Sequence, residues 1–378
     1  MRPLRLSWWR LRARRLASRA ALCRVLQRAS LGVCLVGGGL AHAGDCRVAF
    51  DMGSSGIRAG ASNSAATARA DIDYLSPQWS GRGVRDTLVP TIAALNALPR
   101  QAAFAPECAR VGGGFSAWRF ALAHEPVALV SMLAEIHTAS GVAVLVIPPL
   151  QEGAYGYVAA RQLLGDRLQT SHVLDIGGGS LQIAGASTSF VDTLGQKVWY
   201  RQLCELAGAP ADEACHLQPM LPASLALARE ALAKRLAGVR AALPEGATMT
   251  AISRPVTRGV LPALTRLDGH PAPQLSQARI RAAIDHLSAL SVEASAALAG
   301  IAPEHAAYLL SDLLLLDGLL QATGGDAIQV AEIDLTNLPG LLADDRAYAW
   351  ERHYACYLAR LGERGLAAYA SDPETCAP

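Results

Sequence analysis

The chain has 378 residues, of which 51% are hydrophobic and 17% charged, with 34 basic against 32 acidic residues. Nine of the basic residues are arginines within residues 1–43, where no acid occurs, so the remainder holds 25 bases against 32 acids, a balance of −7. That balance excludes a global basic field for nucleic acid and requires a local patch for any polyanion. The cations are almost all arginine, since only Lys197 and Lys234 are lysines, and arginine suits bidentate phosphate binding.

Residues 1–43 read as a secretory signal peptide. The arginine-rich start leads into an apolar stretch from Ala29 to Leu40 and then Ala41-His42-Ala43, with cleavage expected after Ala43. The stretch is far shorter than the roughly 20 apolar residues a membrane span needs. The expectation is a periplasmic or secreted protein with no membrane contact after cleavage. Cys46, Cys108, Cys204, Cys215, Cys356 and Cys376 remain as an even set, which suggests up to three disulfides in an oxidising compartment. Sequential pairing is favoured, because Cys204 and Cys215 bracket one loop, Cys356 with Cys376 would tie down the tail, and Cys46 and Cys108 each precede a strand-like run. A cysteine metal site is disfavoured, because no two cysteines stand two to four residues apart.

The roughly 335 remaining residues exceed one comfortable core and predict two lobes, 44–165 and 166–378. From Arg47 to Ala61, apolar residues surround a glycine turn, with Gly56–Gly60 as the return strand of a hairpin. A helix follows over Val84–Leu98, then a short strand at Arg110–Val111, helices through Phe115–Ala139, a strand Val142–Ile147 and a helix Glu152–Leu164. This alternation predicts an α/β lobe with a partly parallel sheet. Strands at Leu181–Ala186 and Phe190–Leu194 begin a second meander. The chain from Pro222 to Gln321 is mainly helical, so the second lobe is enriched in helices, and Ala306–Leu320 reads as its buried central helix. Val330–Ile333 is a late strand, and Asp344–Tyr369 closes the chain with a helix.

Two aspartate-led glycine turns carry the chemistry, Asp51-Met52-Gly53-Ser54-Ser55 and Asp175-Ile176-Gly177-Gly178-Gly179-Ser180, each delivered by an apolar run. Glycines let backbone amides approach a phosphate closely. An aspartate at the strand end can hold a hydrated divalent ion beside it, which makes Asp51 and Asp175 the candidate metal ligands. The paired layout resembles the actin, sugar-kinase and chaperone ATPase superfamily, in which two such turns face each other across an interlobe cleft.

Two further segments narrow the resemblance. Ser116-Ala117-Trp118-Arg119-Phe120-Ala121 and Gln151-Glu152-Gly153-Ala154-Tyr155-Gly156-Tyr157 resemble motifs of the Ppx/GppA phosphatase family, which comprises exopolyphosphatases and guanosine pentaphosphate phosphohydrolases. The match covers residues 46–186 and is diffuse beyond. It implies Glu152 as the general base that activates water, Asp51 and Asp175 as residues positioning Mg2+, and Arg58 and Arg119 as phosphate ligands. Gly53, Ser54, Ser55, Gly177, Gly178, Gly179 and Ser180 complete the implied phosphate site. Members commonly dimerise, so a homodimer is compatible with the resemblance.

The first departure from the family is Ser54-Ser55-Gly56, where members usually carry Ser-Asn-Ser. The second is the Gly-Gly-Thr loop of the second lobe, which is replaced here within Met249–Thr257, leaving Ser253, Arg254 and Thr257 to offer side-chain contacts instead. Lys197 is a candidate to face the cleft, against the alternative of a solvated loop lysine. The expected function is an exported hydrolase acting on polyphosphate or a related phosphoanhydride. The rival is a protein of the same fold that binds polyphosphate or nucleotide without turning it over.

Overall fold

The apolar run after Cys46 forms β1 (Arg47–Gly53), in which Val48, Ala49, Phe50 and Met52 are all buried. Burial on both faces explains why the segment reads as continuously apolar rather than alternating. β2 (Gly56–Ala61) and β3 (Ser64–Asp71) follow as antiparallel neighbours, and β4 (Ala109–Gly114) and β5 (Ala143–Val146) add in parallel on the other side. The resulting order is β3-β2-β1-β4-β5. The structure is a computed structural model describing residues 46–208, 215–332 and 336–376, so the expected leader lies outside the described residues. β3 was not foreseen, because its side chains are mostly exposed and carry no apolar alternation. The strand expected at Arg110–Val111 continues through Gly112, Gly113 and Gly114, which are therefore strand rather than turn.

The second sheet repeats this plan. β6 (His172–Ile176), β7 (Leu181–Gly185) and β8 (Ser189–Asp192) form an antiparallel meander; β9 (Met249–Ala251) and β11 (Ala327–Val330) extend β6 in parallel, and β10 (Gln274–Ser276) closes the edge. The order is β10-β11-β9-β6-β7-β8. β11 begins and ends earlier than the expected strand, whose Ile333 lies outside the described residues. The helix Pro303–Thr323 is the buried centre of this lobe, with Leu309, Leu313, Leu316 and Leu320 inside its core. It is long and apolar enough to cross a membrane by composition alone, but most of it is covered by the lobe it supports.

Each sheet has its own apolar core, which makes the α/β architecture two-lobed, while the described residues hold together as one unit. The expected division needs one correction. Residues from Leu338 onward, assigned to the second lobe by sequence order, contribute Leu338, Leu341, Tyr348, Trp350, Tyr354, Tyr357 and Tyr369 to the first core. The reason lies at β5: the Tyr357 hydroxyl accepts from the Val146 amide at 2.8 Å, and the Tyr354 hydroxyl donates to the Val144 carbonyl at 3.0 Å. Tyr354, Tyr357 and Leu361 share one stripe of the helix Tyr354–Arg364. The helix Pro149–Leu164 lies between the lobes, with Tyr155 in the first core and Ala160 and Leu164 against Val173, Ile252 and Ala331.

The cysteines pair sequentially, Cys46 with Cys108, Cys204 with Cys215 and Cys356 with Cys376. Parallel pairing of β1 with β4 sets Arg47 opposite Ala109, so the preceding residues of both strands meet with Cα atoms 4.8 Å apart. Closing a loop of 62 residues restricts the unfolded chain by on the order of 4 kcal/mol. Replacing Cys46 and Cys108 together by alanine is expected to lower the unfolding free energy by about 2–5 kcal/mol. Urea denaturation without reductant checks this, and a midpoint equal to that of the unaltered protein would rule it out.

Candidate active site

The first turn is the tip of the β1–β2 hairpin. Asp51 stands opposite Arg58 in the register, and Gly53 opposite Gly56, leaving Ser54 and Ser55 as the two-residue loop. The second turn joins β6 to β7, with Asp175 opposite Gln182 and the Gly177 amide donating to the Ser180 carbonyl at 2.9 Å. The carbonyls of Gly177 and Gly178 accept from the amides of Gln196 and Lys197 at 2.9 and 2.8 Å, at the start of the helix Gln196–Leu206. Among the described residues, no hydrogen bond uses the amides of Ser54, Ser55, Gly178 or Gly179. Such amides are the groups a phosphate would need.

The two turns touch. A Cβ on Gly178 would stand 2.2 Å from Ser54 Oγ, so the glycine is what allows the lobes to close to this distance. Lys197 spans the same junction, with Nζ 3.4 Å from Asp73 Oδ1, and does not line the cleft. The cleft beside the turns encloses about 590 Å³ and is lined by Asp51, Gly53, Ser54, Ser55, Arg58, Glu152, Asp175, Gly177 and Gly178 among the expected residues.

Glu152 enters this space from the first turn of the helix Pro149–Leu164, directly after β5. Its Oε2 accepts from Arg119 at 2.7 Å and from Gln182 Nε2 at 2.9 Å. Oε1 has no hydrogen bond among the described residues and is left to the cleft. Arg119 also donates to the Ile147 carbonyl at 2.9 Å and to Ser180 Oγ at 2.9 Å. The pair is well covered, with side-chain exposures of 9% for Arg119 and 7% for Glu152.

Three residues expected at the phosphate site stand outside the cleft lining. Arg119, Gly179 and Ser180 do not line the cleft: Arg119 spends its donors on Glu152, Ser180 and Ile147, and the Ser180 hydroxyl also accepts from Gln182 at 2.9 Å. A Cβ on Gly179 would meet Ser116, so only glycine fits there, and among the described residues its amide stays unbonded like those of Ser54, Ser55 and Gly178. Gln182 was missed because an inward glutamine on a strand has no sequence signal apart from its offset from Asp175.

Other residues gather cations at the cleft. Arg69 lies opposite Arg58 across β2 and β3 and pairs with Asp71. Arg254 and Arg258, one helical turn apart after β9, line the same cleft together with Ser253, whereas Thr257 does not. The Arg254 and Arg258 pair stands where sequence comparison suggested a lost glycine loop, and its i,i+4 spacing was the available clue.

The cleft floor is acidic. Burial pushes the Asp51 carboxyl up to about 6, against the opposing pull of Arg58 and of the Asn337 amide, which donates to Asp51 Oδ2 at 3.2 Å. Burial, reinforced by Glu152 and Asp51, pushes Asp175 up to about 7. Asp312, from the central helix, is pushed up to about 8 by burial, tempered by Gln196 Nε2 donating to its Oδ2 at 2.6 Å. Among the described residues no three His, Cys, Asp or Glu side chains form a ready metal cage. Asp51 and Asp175 nevertheless fit a hydrated divalent cation of the magnesium type. They are hard oxygen donors whose mutual repulsion such an ion relieves, and magnesium commonly uses one or two carboxylates plus water and phosphate.

These features define the class: an actin-like fold with a phosphate-type cleft between its lobes. The family model described as the Ppx/GppA phosphatase family matches residues 130–337, and the chain belongs to that family. Among solved structures, the Aquifex aeolicus Ppx/GppA enzyme is 18% identical with a TM-score of 0.60, covering 79% of this chain and 99% of its own. An exopolyphosphatase from Cytophaga hutchinsonii is 15% identical with a TM-score of 0.57, covering 79% and 96%. An exopolyphosphatase-like protein is 16% identical with a TM-score of 0.60, covering 82% and 99%. At these identities the likeness is one of fold. No curated protein matches the chain in sequence.

The raised acids make stability depend on pH. Their folded-state values lie above the ordinary aspartate value of 3.8. The stabilisation from neutral carboxyls is therefore complete below about pH 4 and is lost as pH rises through about 6, 7 and 8. Without metal, the melting temperature is expected to fall over this range, and magnesium is expected to raise it more at about pH 8 than at about pH 5. Thermal melts in chelator and in magnesium check this; a magnesium effect that is equal at both pH values would overturn it.

Proposed function

We propose that this protein is an exported phosphohydrolase that removes terminal phosphate from inorganic polyphosphate or a related phosphoanhydride by water attack. The observation that carries the reading is Glu152, fixed through one oxygen by Arg119 and Gln182 while the other is left to a cleft bounded by both turns. A water held by Oε1 would attack the terminal phosphorus, Glu152 would accept its proton, and the P–O bond to the remaining chain would break with the electrons going to the leaving oxygen. The turn amides would bind the terminal phosphate, and Arg58 and Arg254 would offset its charge. A divalent cation held by Asp51 and Asp175 would supply further charge neutralisation at the phosphate oxygens. Arg119 acts through Glu152 rather than on substrate.

Four arginines lining one cleft, Arg58, Arg69, Arg254 and Arg258, support a substrate with repeated phosphates, as does the fold shared with an exopolyphosphatase. They also supply the local basic patch that an acidic chain needs for a polyanion. Three disulfides support an oxidising compartment. The replaced glycine loop favours a second reading, in which the cleft binds phosphate chains without hydrolysing them.

Phosphate release from polyphosphate with magnesium separates the two readings. Glu152→Gln is expected to lower kcat by about 10²–10⁴ while retaining binding. Binding without release in both forms would establish the second reading. Arg254→Ala with Arg258→Ala is expected to raise KM roughly ten-fold or more with a smaller change in kcat, as for contacts made equally in ground and transition states. An unchanged KM would remove these arginines from the substrate path.

A further inference from the structure

The helix that carries Glu152 is held from behind by the C-terminal segment. Asp344 Oδ2 accepts from the Tyr155 hydroxyl at 2.6 Å, from the Tyr369 hydroxyl at 2.6 Å and from Gln151 Nε2 at 3.2 Å. Gln151 and Tyr155 stand one residue before and three after Glu152, so these bonds bracket it. The other oxygen of Asp344 accepts from the amides of Arg346 and Ala347 at 2.9 and 3.4 Å, which fixes the carboxylate to the helix Asp345–Arg352. Gly340 packs directly on Tyr155, where a Cβ would come within 2.4 Å of the Tyr155 Cα. Asn337, at the start of this segment, donates its amide to Asp51 at 3.2 Å.

One short segment thus touches the carboxylate of the first turn at one end and the helix of Glu152 at the other. Tyr155, Asp344 and Tyr369 do not line the cleft, and Tyr155, Leu338 and Leu341 pack in one apolar core. Charge-assisted hydrogen bonds add a fixed direction and spacing to that packing. Burial first, with the neighbouring carboxylate adding to it, pushes both tyrosines well above their usual range, so their hydroxyls remain donors.

We propose that Asp344 is a positioning residue for Glu152, and that residues 337–344 act as a strut setting the separation between Glu152 and Asp51. The strut rests on the hydrolase reading, because that separation decides where the attacking water stands relative to the phosphate. An error of about 1 Å at such a position costs on the order of 100-fold in rate.

The test compares Asp344→Asn and Tyr155→Phe with Tyr354→Phe, which removes another buried tyrosine hydroxyl bond in the same core. With polyphosphate and magnesium, the first two are expected to lower kcat roughly ten-fold or more with KM nearly unchanged, while Tyr354→Phe keeps the wild-type kcat. Equal losses in all three, or no loss in the first two, would overturn the strut. Amide hydrogen exchange over residues 152–156 supplies a readout independent of turnover: protection is expected to fall in Tyr155→Phe and Asp344→Asn, and unchanged protection overturns the proposal even in a protein that releases no phosphate. Absence of release from the wild-type protein counts against the hydrolase reading alone. If Asp344→Asn does not fold, Tyr155→Phe carries both measurements.

Discussion

The ion pair between Arg119 and Glu152 is the constraint on which the cleft depends. Two charges so well covered are tolerated only when their remaining hydrogen-bonding capacity is met, and removing one partner costs about 3–5 kcal/mol. Here the Ile147 carbonyl, Ser180 and Gln182 meet much of it, though not at Glu152 Oε1. The helix after β4, the end of β5 and the second turn must therefore all be in place for the pair to exist. The same bonds leave Glu152 with one oxygen committed and one facing the cleft, so stability and catalytic geometry rest on one contact.

Around that contact, the cleft brings both signs of charge together. Asp51, Asp175 and Asp312 line it with Arg58, Arg69, Arg254 and Arg258, so the arginines favour an anion there while the carboxylates oppose its close approach until they are neutralised. The cleft also separates two roles for arginine that sequence alone merges: Arg58 is at the cleft, whereas Arg119, of the same residue type and in an equally suggestive motif, is committed to a neighbouring side chain.

Much of the site was legible because its elements are local. The two turns, Glu152 at a helix start and the Cys204–Cys215 and Cys356–Cys376 pairs each follow from short segments, at most 20 residues apart for the cysteines. What was not legible depends on distant segments. The bonds that the Ser180 hydroxyl accepts from Arg119 and Gln182 join it to the Glu152 cluster, and the Arg119 partner lies far away in sequence. β3 shows no apolar pattern because it is an exposed edge, and the three glycines of β4 look like a loop because their strand role depends on flanking partners. The return of the C-terminal tyrosines to the first lobe was hidden by sequence order, although their helical spacing was visible.

That return has a consequence for how the molecule comes into being. The first lobe is made from both ends of the described chain, with the second lobe inserted between them. The segment from Leu338 onward must be synthesised before the first core can be filled, and Asn337, which contacts Asp51, lies directly before it. The second lobe can acquire its core without those final residues. Assembly of the cleft is therefore ordered by chain connectivity: the middle of the chain can fold early, and the closing step belongs to its last forty or so residues.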